Sequence, residues 1–323
     1  MSRIAIDAMG GDHAPGEVVL GAVDAAKEGH DVVLVGAPSQ IEVILDDVGY
    51  DVDLVPATEV IEMADDPATA IREKKGASIS VAARLVAGGE AGGLVSAGST
   101  GAAMAAAVFL IGRLEGVARP AIATLFPGGK LVLDSGANLT CRPEHLVQFA
   151  VMGAALVETL LGVEHARVGL VNIGEEKGKG RDLEKLAYDG IASLAGIDFV
   201  GNVEGRDIGS TKADVLVTDG FTGNVLLKTA EGTAVLVQDA ILHSLSRPEY
   251  QEPFAALAPA LLEVRQRLHP ETRGGGHLLG VNGVVIIAHG SSSRVAIANA
   301  IAMADDAASR GLVEKIGTGL AGA

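Results

Sequence analysis

Short apolar runs and longer stretches of helical periodicity alternate along most of the chain. The apolar runs predict strands at residues 4–6, 32–35, 52–55, 93–95, 121–125, 131–133, 168–171, 215–217 and 284–287. Between many of them, apolar residues recur every three or four positions, which predicts helices at residues 16–28, 78–86, 143–161, 182–194 and 292–307. Such a pattern indicates the α/β class, with a mostly parallel open sheet and helices on both of its faces.

The pattern shows no linker and no internal repeat, so we expect one α/β domain over residues 1–323. Residues 222–268 break the alternation because they are helical almost throughout, which predicts a helical hairpin protruding from the domain. Its second half, "PFAALAPALLEVRQRL", carries an apolar stripe that faces a partner subunit, a membrane or the core. Of these three, a partner subunit is our leading interpretation.

Composition narrows the range of functions. Aromatic residues make up only 3% of the chain, and 41 acidic against 25 basic residues give a formal charge of −16. This composition argues against a nucleic-acid partner, which needs stacking aromatic rings and a basic face. The single cysteine, Cys141, excludes an internal disulfide framework and a cysteine-rich zinc site. We favour a small core residue over a nucleophile for it.

Two segments were compared with the patterns of a transmembrane span and of a secretory signal. Residues 91–112 carry no charge, but a polar turn interrupts them and alanine and glycine dominate, so a buried strand, turn and helix fit better than a transmembrane span. The amino terminus has no basic region followed by an apolar core, as a secretory signal would. We therefore expect a cytoplasmic protein.

Six predicted strands end in loops rich in glycine and in polar side chains. The residues singled out in these loops are Gly10, Gly11, Asp12, His13, Ser96, Gly98, Ser99, Thr100, Gly101, Asp134, Asn138, Asn172, Lys179, Asp219, Gly223, Asn224, His289 and Ser291. In a parallel sheet such loops meet at the carboxyl edge, where helix N-termini and hydroxyl groups bind small anions. We therefore predict a shared site for phosphate. The alternative is a set of independent helix caps.

Read together, the loops carry several motifs in a fixed order. They are "IAIDAMGGDHAP", "SAGSTGA", "LDSGAN", "RVGLVNIGEE", "GNVEGRDI", "DVLVTDGFTGNVLLK", "LLGVNG" and "IAHGSSS". In these motifs the chain strongly resembles the bacterial PlsX-type phosphate acyltransferases, from about residue 4 to residue 299. It departs from the family pattern at Ser99, where asparagine is usual, at Ser135, where valine is usual, and at Arg181, where asparagine is usual.

The resemblance implies a reaction without a cofactor or a catalytic metal, in which acyl-ACP and inorganic phosphate give acyl phosphate and free ACP for phospholipid synthesis. It implies a fold similar to that of phosphotransacetylases and isocitrate-dehydrogenase-like enzymes. It further implies a homodimer, peripheral contact with the membrane, and hand-over of the product to a membrane glycerol-3-phosphate acyltransferase.

Roles within the site follow from the chemistry. Hydroxyl groups and backbone around residues 98–101 would cradle phosphate, and Asn138, Asn172 and Asn224 would donate hydrogen bonds to phosphate or the thioester oxygen. Lys179 would offset negative charge, and the two loop histidines, His13 and His289, are candidate proton donors to the leaving sulfur. The loop aspartates repel phosphate, so we expect them to orient other groups.

An acidic carrier such as ACP needs a local basic patch on this acidic chain. The candidates in or beside the hairpin are Arg247, Arg265, Arg267 and Arg273. Two other enzymes of related fold remain open: an acyl-CoA-dependent phosphotransacetylase and a metal- and NAD-dependent hydroxyacid dehydrogenase. The second should show a carboxylate cluster and a dinucleotide motif, and neither is evident in the sequence. A non-catalytic anion-binding scaffold is the remaining alternative.

Overall fold

A computed structural model describes residues 2–126, 129–268 and 274–322. Eleven strands form one sheet in these ranges, in the order β3-β2-β1-β4-β11-β10-β5-β6-β9-β7-β8. The strands are β1 Ile4–Asp7, β2 Val32–Gly36, β3 Asp53–Pro56, β4 Gly93–Ser96, β5 Ala121–Leu125, β6 Leu131–Leu133, β7 Arg167–Asn172, β8 Asp198–Glu204, β9 Val215–Val217, β10 Gly276–Leu279 and β11 Val284–Ile287. The mostly parallel open α/β sheet is therefore confirmed.

The sheet has two parallel halves that run in opposite directions. Strands β3, β2, β1, β4 and β11 are parallel, β10 is antiparallel to both of its neighbours, and β5 pairs antiparallel with β6. Strands β6, β9, β7 and β8 are again parallel to one another. The expectation that all six polar loops leave one edge of the sheet is therefore wrong. The loops after β6, β7 and β9 begin at the edge opposite to those after β1, β4 and β11.

Helices cover both faces of the sheet. They are α1 Gly16–Lys27, α2 Pro38–Val48, α3 Pro67–Glu73, α4 Ser78–Ala87, α5 Thr100–Ala106, α6 Pro143–Leu160, α7 Asp182–Ala192, α8 Gly220–Leu245, α9 Gln251–Leu268, α10 Arg294–Ser309 and α11 Leu312–Ala321. Ile4 and Ile6 face a core shared with α1, α6 and α10, whereas the intervening Ala5 faces a second core beneath α4 and α5. This alternation is the one expected of a strand buried on both sides.

The structure contains all nine predicted strands, with shifts of one or two residues at their ends. The pattern missed β8 and β10 and the helices α2, α3 and α11. The uncharged segment 91–112 forms β4, a polar turn and α5, as predicted, and a π-helical stretch over Ala107–Ile111, which was not predicted, extends α5. Helices α8 and α9 occupy the stretch in which we predicted a hairpin.

No helix in the described ranges combines the length and the apolar character that crossing a bilayer requires.

Candidate functional site

A cavity of about 350 Å³ lies where β4 and β11 end and β10 begins. Its polar lining combines the β4–α5 loop, the loop after β6, one face of α8 and the loop after β11. The residues of these segments that line it include Gly98, Ser99, Thr100, Gly101, Ser135, Gly136, Asn224, Lys228, Glu231, His289 and Gly290. The structure thus brings together loops from both halves of the sheet, although the halves run in opposite directions.

The first wall of the cavity is the β4–α5 loop, which rests on the end of β1. The hydroxyl of Ser96 donates to the buried carboxylate of Asp7 (2.7 Å) and accepts from the backbone N–H of Gly98 (3.1 Å). A Cβ on Gly10 would lie 2.9 Å from the Gly98 nitrogen, so glycine is needed for the two loops to touch. Burial raises the pKa of Asp7. These contacts hold Ser99 and Thr100 at the cavity without using their side chains.

Asp134 shapes the loop after β6. Its carboxylate accepts hydrogen bonds from the backbone N–H groups of Ile122, Gly136, Ala137 and Asn138 and from the Asn138 side-chain amide, at 2.7–3.2 Å. Burial raises the pKa of Asp134, although these hydrogen bonds act in the opposite direction. Asp134 is fully buried and makes the contacts that an orienting role requires.

The same loop reaches the cavity through Ser135. Its N–H and its hydroxyl both donate to the carbonyl of Ile122, and the hydroxyl lies 2.8 Å from the hydroxyl of Thr124. The chain just after β6 therefore lies against β5. Ile122 and Thr124 of β5 also line the cavity, so Ser135 reaches the cavity at this strand.

Helix α8 supplies the third wall. Asp219 caps it by accepting from the N–H of Thr222 (2.7 Å), and Arg181 also donates to Asp219 (2.6 Å). Burial alone would raise the pKa of Asp219, but the hydrogen bonds from Thr222 and Arg181 outweigh it and lower the pKa. A Cβ on Gly223 would lie 1.9 Å from the carbonyl oxygen of Asp134, so α8 packs directly on the β6 loop.

Asn224, Lys228 and Glu231 follow one another at helical spacing and line the cavity from α8. The Asn224 amide donates one hydrogen bond to the carbonyl of Ser135 (3.2 Å), which leaves its second N–H for a ligand. Lys228 forms no ion pair with any residue that the structure describes, and its side chain is exposed. Lys228 and Glu231 were missed by sequence reasoning. Counting one helical turn from Asn224 within "GNVLLK" would have found Lys228, and a second turn would have found Glu231.

The fourth wall is the loop after β11. The carbonyl of Gly290 accepts from the backbone N–H of Asp12 (2.7 Å), which joins this loop to the loop after β1. His289 lines the cavity and is exposed, and its imidazole ring makes no hydrogen bond with a described residue. His289 is therefore available to a ligand.

Other predicted site residues lie close to the cavity without lining it. Gly10, Gly11, Ser96 and Gly223 support its walls by close packing, and Asp12 contacts Gly290. His13 and Ser291 are exposed and outside the lining, and the His13 ring has no hydrogen-bond or ion-pair partner among the described residues.

A further group of predicted residues belongs to loop structure. The Asn138 amide donates to Asp134 and to the carbonyl of Pro120 (2.8 Å each), which uses both of its hydrogens. The Asn172 amide donates to the carbonyl of Lys179 (3.1 Å) and its oxygen accepts from Ile173 (2.8 Å). Lys179 is exposed in the loop after β7. The structure brings none of these three to the cavity lining.

The two hairpin arginines whose side chains the structure describes lie apart from the cavity. Arg247 pairs with Glu249 and lies over the ring of Tyr250, and Arg265 lines a separate apolar cavity between α8 and α9. Arg273 and the side chain of Arg267 lie outside the described part of the structure. Burial raises the pKa of the Cys141 thiol to about 12, and Cys141 does not line the cavity.

Within the described ranges, no three or more histidine, cysteine, aspartate or glutamate side chains are grouped so that they could hold a metal ion.

Solved structures share this fold. A phosphotransacetylase from Streptococcus pyogenes aligns with a TM-score of 0.63 at 18% identity, over 95% of this chain and 93% of its own. A 4-hydroxythreonine-4-phosphate dehydrogenase from Klebsiella pneumoniae aligns with a TM-score of 0.57 at 12% identity, over 95% of this chain and all of its own. At these identities the comparison establishes the fold alone.

Sequence relatives are much closer. A phosphate acyltransferase from Heliobacterium modesticaldum is 51% identical over 311 residues, which cover 94% of this chain and 92% of that protein. A phosphate acyltransferase from Nostoc punctiforme is 48% identical over 323 residues, which cover 97% and 95%. A family model described as "fatty acid synthesis protein" matches residues 2–315. The chain therefore belongs to the fatty acid synthesis protein family, together with these phosphate acyltransferases.

Proposed function

We propose that the protein transfers a long-chain acyl group from acyl-ACP to inorganic phosphate, giving acyl phosphate and free ACP for phospholipid synthesis. The relatives named phosphate acyltransferases support the reaction class. The observation that carries the proposal is Lys228, a cation that pairs with no described residue and lines a cavity whose polar lining also includes loop backbone, hydroxyl groups and the Asn224 amide. Such a cavity suits a small anion.

The binding step follows from the walls of the cavity. Ser99 and Thr100 hold phosphate from the β4–α5 loop, and Lys228 balances its charge from α8. The free N–H of Asn224 donates to phosphate or to the thioester oxygen. Glu231 brings a negative charge to the same face of α8, so it opposes anion binding and Lys228 must offset its charge as well. The predicted roles of Asn138, Asn172 and Lys179 at the reacting atoms receive no support from their positions outside the lining.

The chemical step needs little from the protein beyond positioning. A phosphate oxygen attacks the thioester carbon, the C–S bond breaks, and the thiolate takes a proton as free ACP. A thiol with a pKa of about 8.5 leaves readily, so holding the reactants together and stabilising the oxyanion supply most of the acceleration. His289 is the proton donor that its position favours, because it lines the cavity and its ring has no hydrogen-bond or ion-pair partner among the described residues. His13 lies outside the lining.

The same proposal includes the oligomeric state of the enzyme, its location and the partner that receives its product. Large apolar side chains such as Leu236 on α8 and Leu257 on α9 are 68% and 51% exposed, which supports a homodimer formed through the hairpin. The enzyme is cytoplasmic, touches the membrane peripherally, and hands its product to a membrane glycerol-3-phosphate acyltransferase.

Thiol release tests the donor and the acceptor together. Free thiol is measured after adding long-chain acyl-ACP with and without phosphate, and acyl-CoA is the control donor because it presents the same phosphopantetheine thioester. The proposal expects release that depends on phosphate and is fastest with acyl-ACP. Release from acyl-CoA alone would instead identify an acyl-CoA-dependent phosphotransacetylase, and no release from either donor would leave an anion-binding scaffold.

A further inference from the structure

Three large apolar side chains are exposed on loops that follow neighbouring strands. Ile173, after β7, is 82% exposed, Leu139, after β6, is 74% exposed, and Phe221, after β9, is 60% exposed. We call these three residues the apolar edge. Ile173 and Leu139 are the two most exposed large apolar side chains in the described part of the chain. Neighbouring exposed apolar residues of this size mark interaction sites.

Hydrogen bonds hold the three loops of the apolar edge against one another. The N–H of Gly220 donates to the carbonyl of Asn138 (2.8 Å). Gly220 directly precedes Phe221 and Asn138 directly precedes Leu139, so this hydrogen bond joins the two loops next to both apolar residues. Arg181 joins the β7 loop to the start of α8 through Asp219. Since β6, β9 and β7 are adjacent and parallel, their following loops leave the sheet side by side. The apolar edge is therefore one surface.

The apolar edge borders the cavity through Phe221 and Leu139. Phe221, Asn224 and Lys228 are spaced by three and four residues, so they lie on one face of α8. Gly136, which lines the cavity, stands three residues before Leu139. A ligand bound on the apolar edge is thus next to the place where a thioester must meet phosphate.

Charged side chains also occur in the loops of the apolar edge and on α8. Lys179, in the β7 loop, and Lys228 form no ion pair with any described residue. Glu175 and Glu176 are exposed carboxylates of the β7 loop, and the exposed Arg142 after β6 pairs with Glu144. On a chain with a formal charge of −16, a lysine without an ion pair in one of these loops and another on α8 suit an acidic partner with an apolar contact.

We propose that the apolar edge is the docking site for the acyl carrier protein. The inference rests on the proposed function and deepens it, because it places the protein part of the donor at the β6-β9-β7 edge and not at the hairpin arginines. The carrier contacts Leu139, Ile173 and Phe221, and its acidic groups face Lys179. The larger apolar faces of α8 and α9 remain for a second copy of the chain.

The test compares carrier-bound and carrier-free donors. The double variant Ile173→Ser, Phe221→Ser is assayed with palmitoyl-ACP and with palmitoyl-pantetheine, beside a control, Val43→Ser, which removes an apolar side chain that is 66% exposed on α2. The expected result is a KM for palmitoyl-ACP raised about tenfold or more in the double variant. Its KM for palmitoyl-pantetheine and for phosphate stays at the wild-type value, and the control changes none of the three.

Salt and direct binding supply independent readouts. Fluorescence anisotropy of labelled palmitoyl-ACP should show weaker binding to Lys179→Glu and a smaller dependence on salt than for wild type, whereas Arg265→Glu should bind as wild type does. Because binding is measured without turnover, failure of the proposed reaction and failure of this docking site are separate results. An unchanged KM and affinity for palmitoyl-ACP in the double variant would overturn the docking site. So would a fall in molecular mass to that of a monomer, since a second copy would then cover the apolar edge.

Discussion

At the scale of single residues, the polar side chains at and near the cavity fall into two groups: those available to a ligand and those that hold the loops in place. Asp134 and Asn138 use their hydrogen-bonding groups within the β6 loop and on Ile122 and Pro120 beside it, while the side chains of Lys228 and His289 have no hydrogen-bond or ion-pair partner among the described residues. Sequence reasoning located the polar loops because glycine beside aspartate, asparagine or serine after an apolar strand is a local pattern. It could not tell which polar groups were already satisfied, since their partners come from other loops.

Replacing Lys228 tests the binding group. Lys228→Met keeps most of the side chain but removes the charge, so the KM for phosphate should rise between 10- and 100-fold, as expected for loss of about 1.5–3 kcal/mol from a charged hydrogen bond. Steady-state kinetics with varied phosphate measures this. Lys185→Met, on the exposed face of α7, is the matched control and should keep the wild-type KM. A wild-type KM for phosphate in Lys228→Met would remove the lysine from the site.

His277 on β10 gives a prediction about pH. The side chain is buried, and desolvation lowers its pKa from 6.5 to about 4. The unfolded chain therefore binds a proton below pH 6.5 that the folded chain does not, so stability is lost as pH falls from about 6.5 towards 4. At pH 5 this loss should be about 2 kcal/mol in the free energy of unfolding relative to pH 7.

Urea unfolding of wild type and of His277→Met at pH 7 and pH 5 measures the effect. The variant should lose less stability than wild type between the two pH values, whereas His165→Gln, at an exposed histidine, should behave as wild type. Equal losses in wild type and His277→Met would show that another group accounts for the acid sensitivity.

At the scale of elements, α8 is what joins the two halves of the site. It begins after β9, packs on the β6 loop through Gly223, and carries Asn224, Lys228 and Glu231 along one face to the cavity. The helix was predictable from its periodicity, and so were nine of the strands. The strands β8 and β10 were missed because "DFVGNVE" mixes charged, amide and glycine residues, and "GHLL" is short and contains a histidine.

Two glycines of α8 provide a matched test of this packing. A Cβ on Gly223 would lie 1.9 Å from the Asp134 carbonyl oxygen, whereas a Cβ on Gly232 would meet no atom within 4 Å. Gly223→Ala should therefore destabilise the protein by about 3 kcal/mol and weaken phosphate binding, because α8 must move away from the loop. Gly232→Ala should stabilise it by about 1 kcal/mol through helix propensity. Denaturant unfolding midpoints and the KM for phosphate are measured for both variants. Equal stabilities of the two variants would contradict the packing of α8 on the β6 loop.

At the scale of the whole molecule, the reversal of strand direction decides which loops meet. The sequence pattern indicates a strand but not its direction, so the antiparallel insertion of β10 and the pairing of β5 with β6 were outside its reach. The prediction of a shared site nevertheless agrees with the cavity for the loops after β4, β6, β9 and β11. The prediction does not agree with the cavity for Asn172 and Lys179, because β7 lies two strands beyond β6 in the sheet.

The central claim is that phosphate itself attacks the acyl group at this cavity. The most direct measurement follows radiolabelled inorganic phosphate into a lipid-extractable product formed from palmitoyl-ACP, while counting the ACP thiol released. The account predicts one labelled phosphate in acyl phosphate for each thiol released, with both rates reduced together in Lys228→Met at limiting phosphate. Thiol release without label in the lipid fraction would mean that water is the acceptor, and would contradict the account.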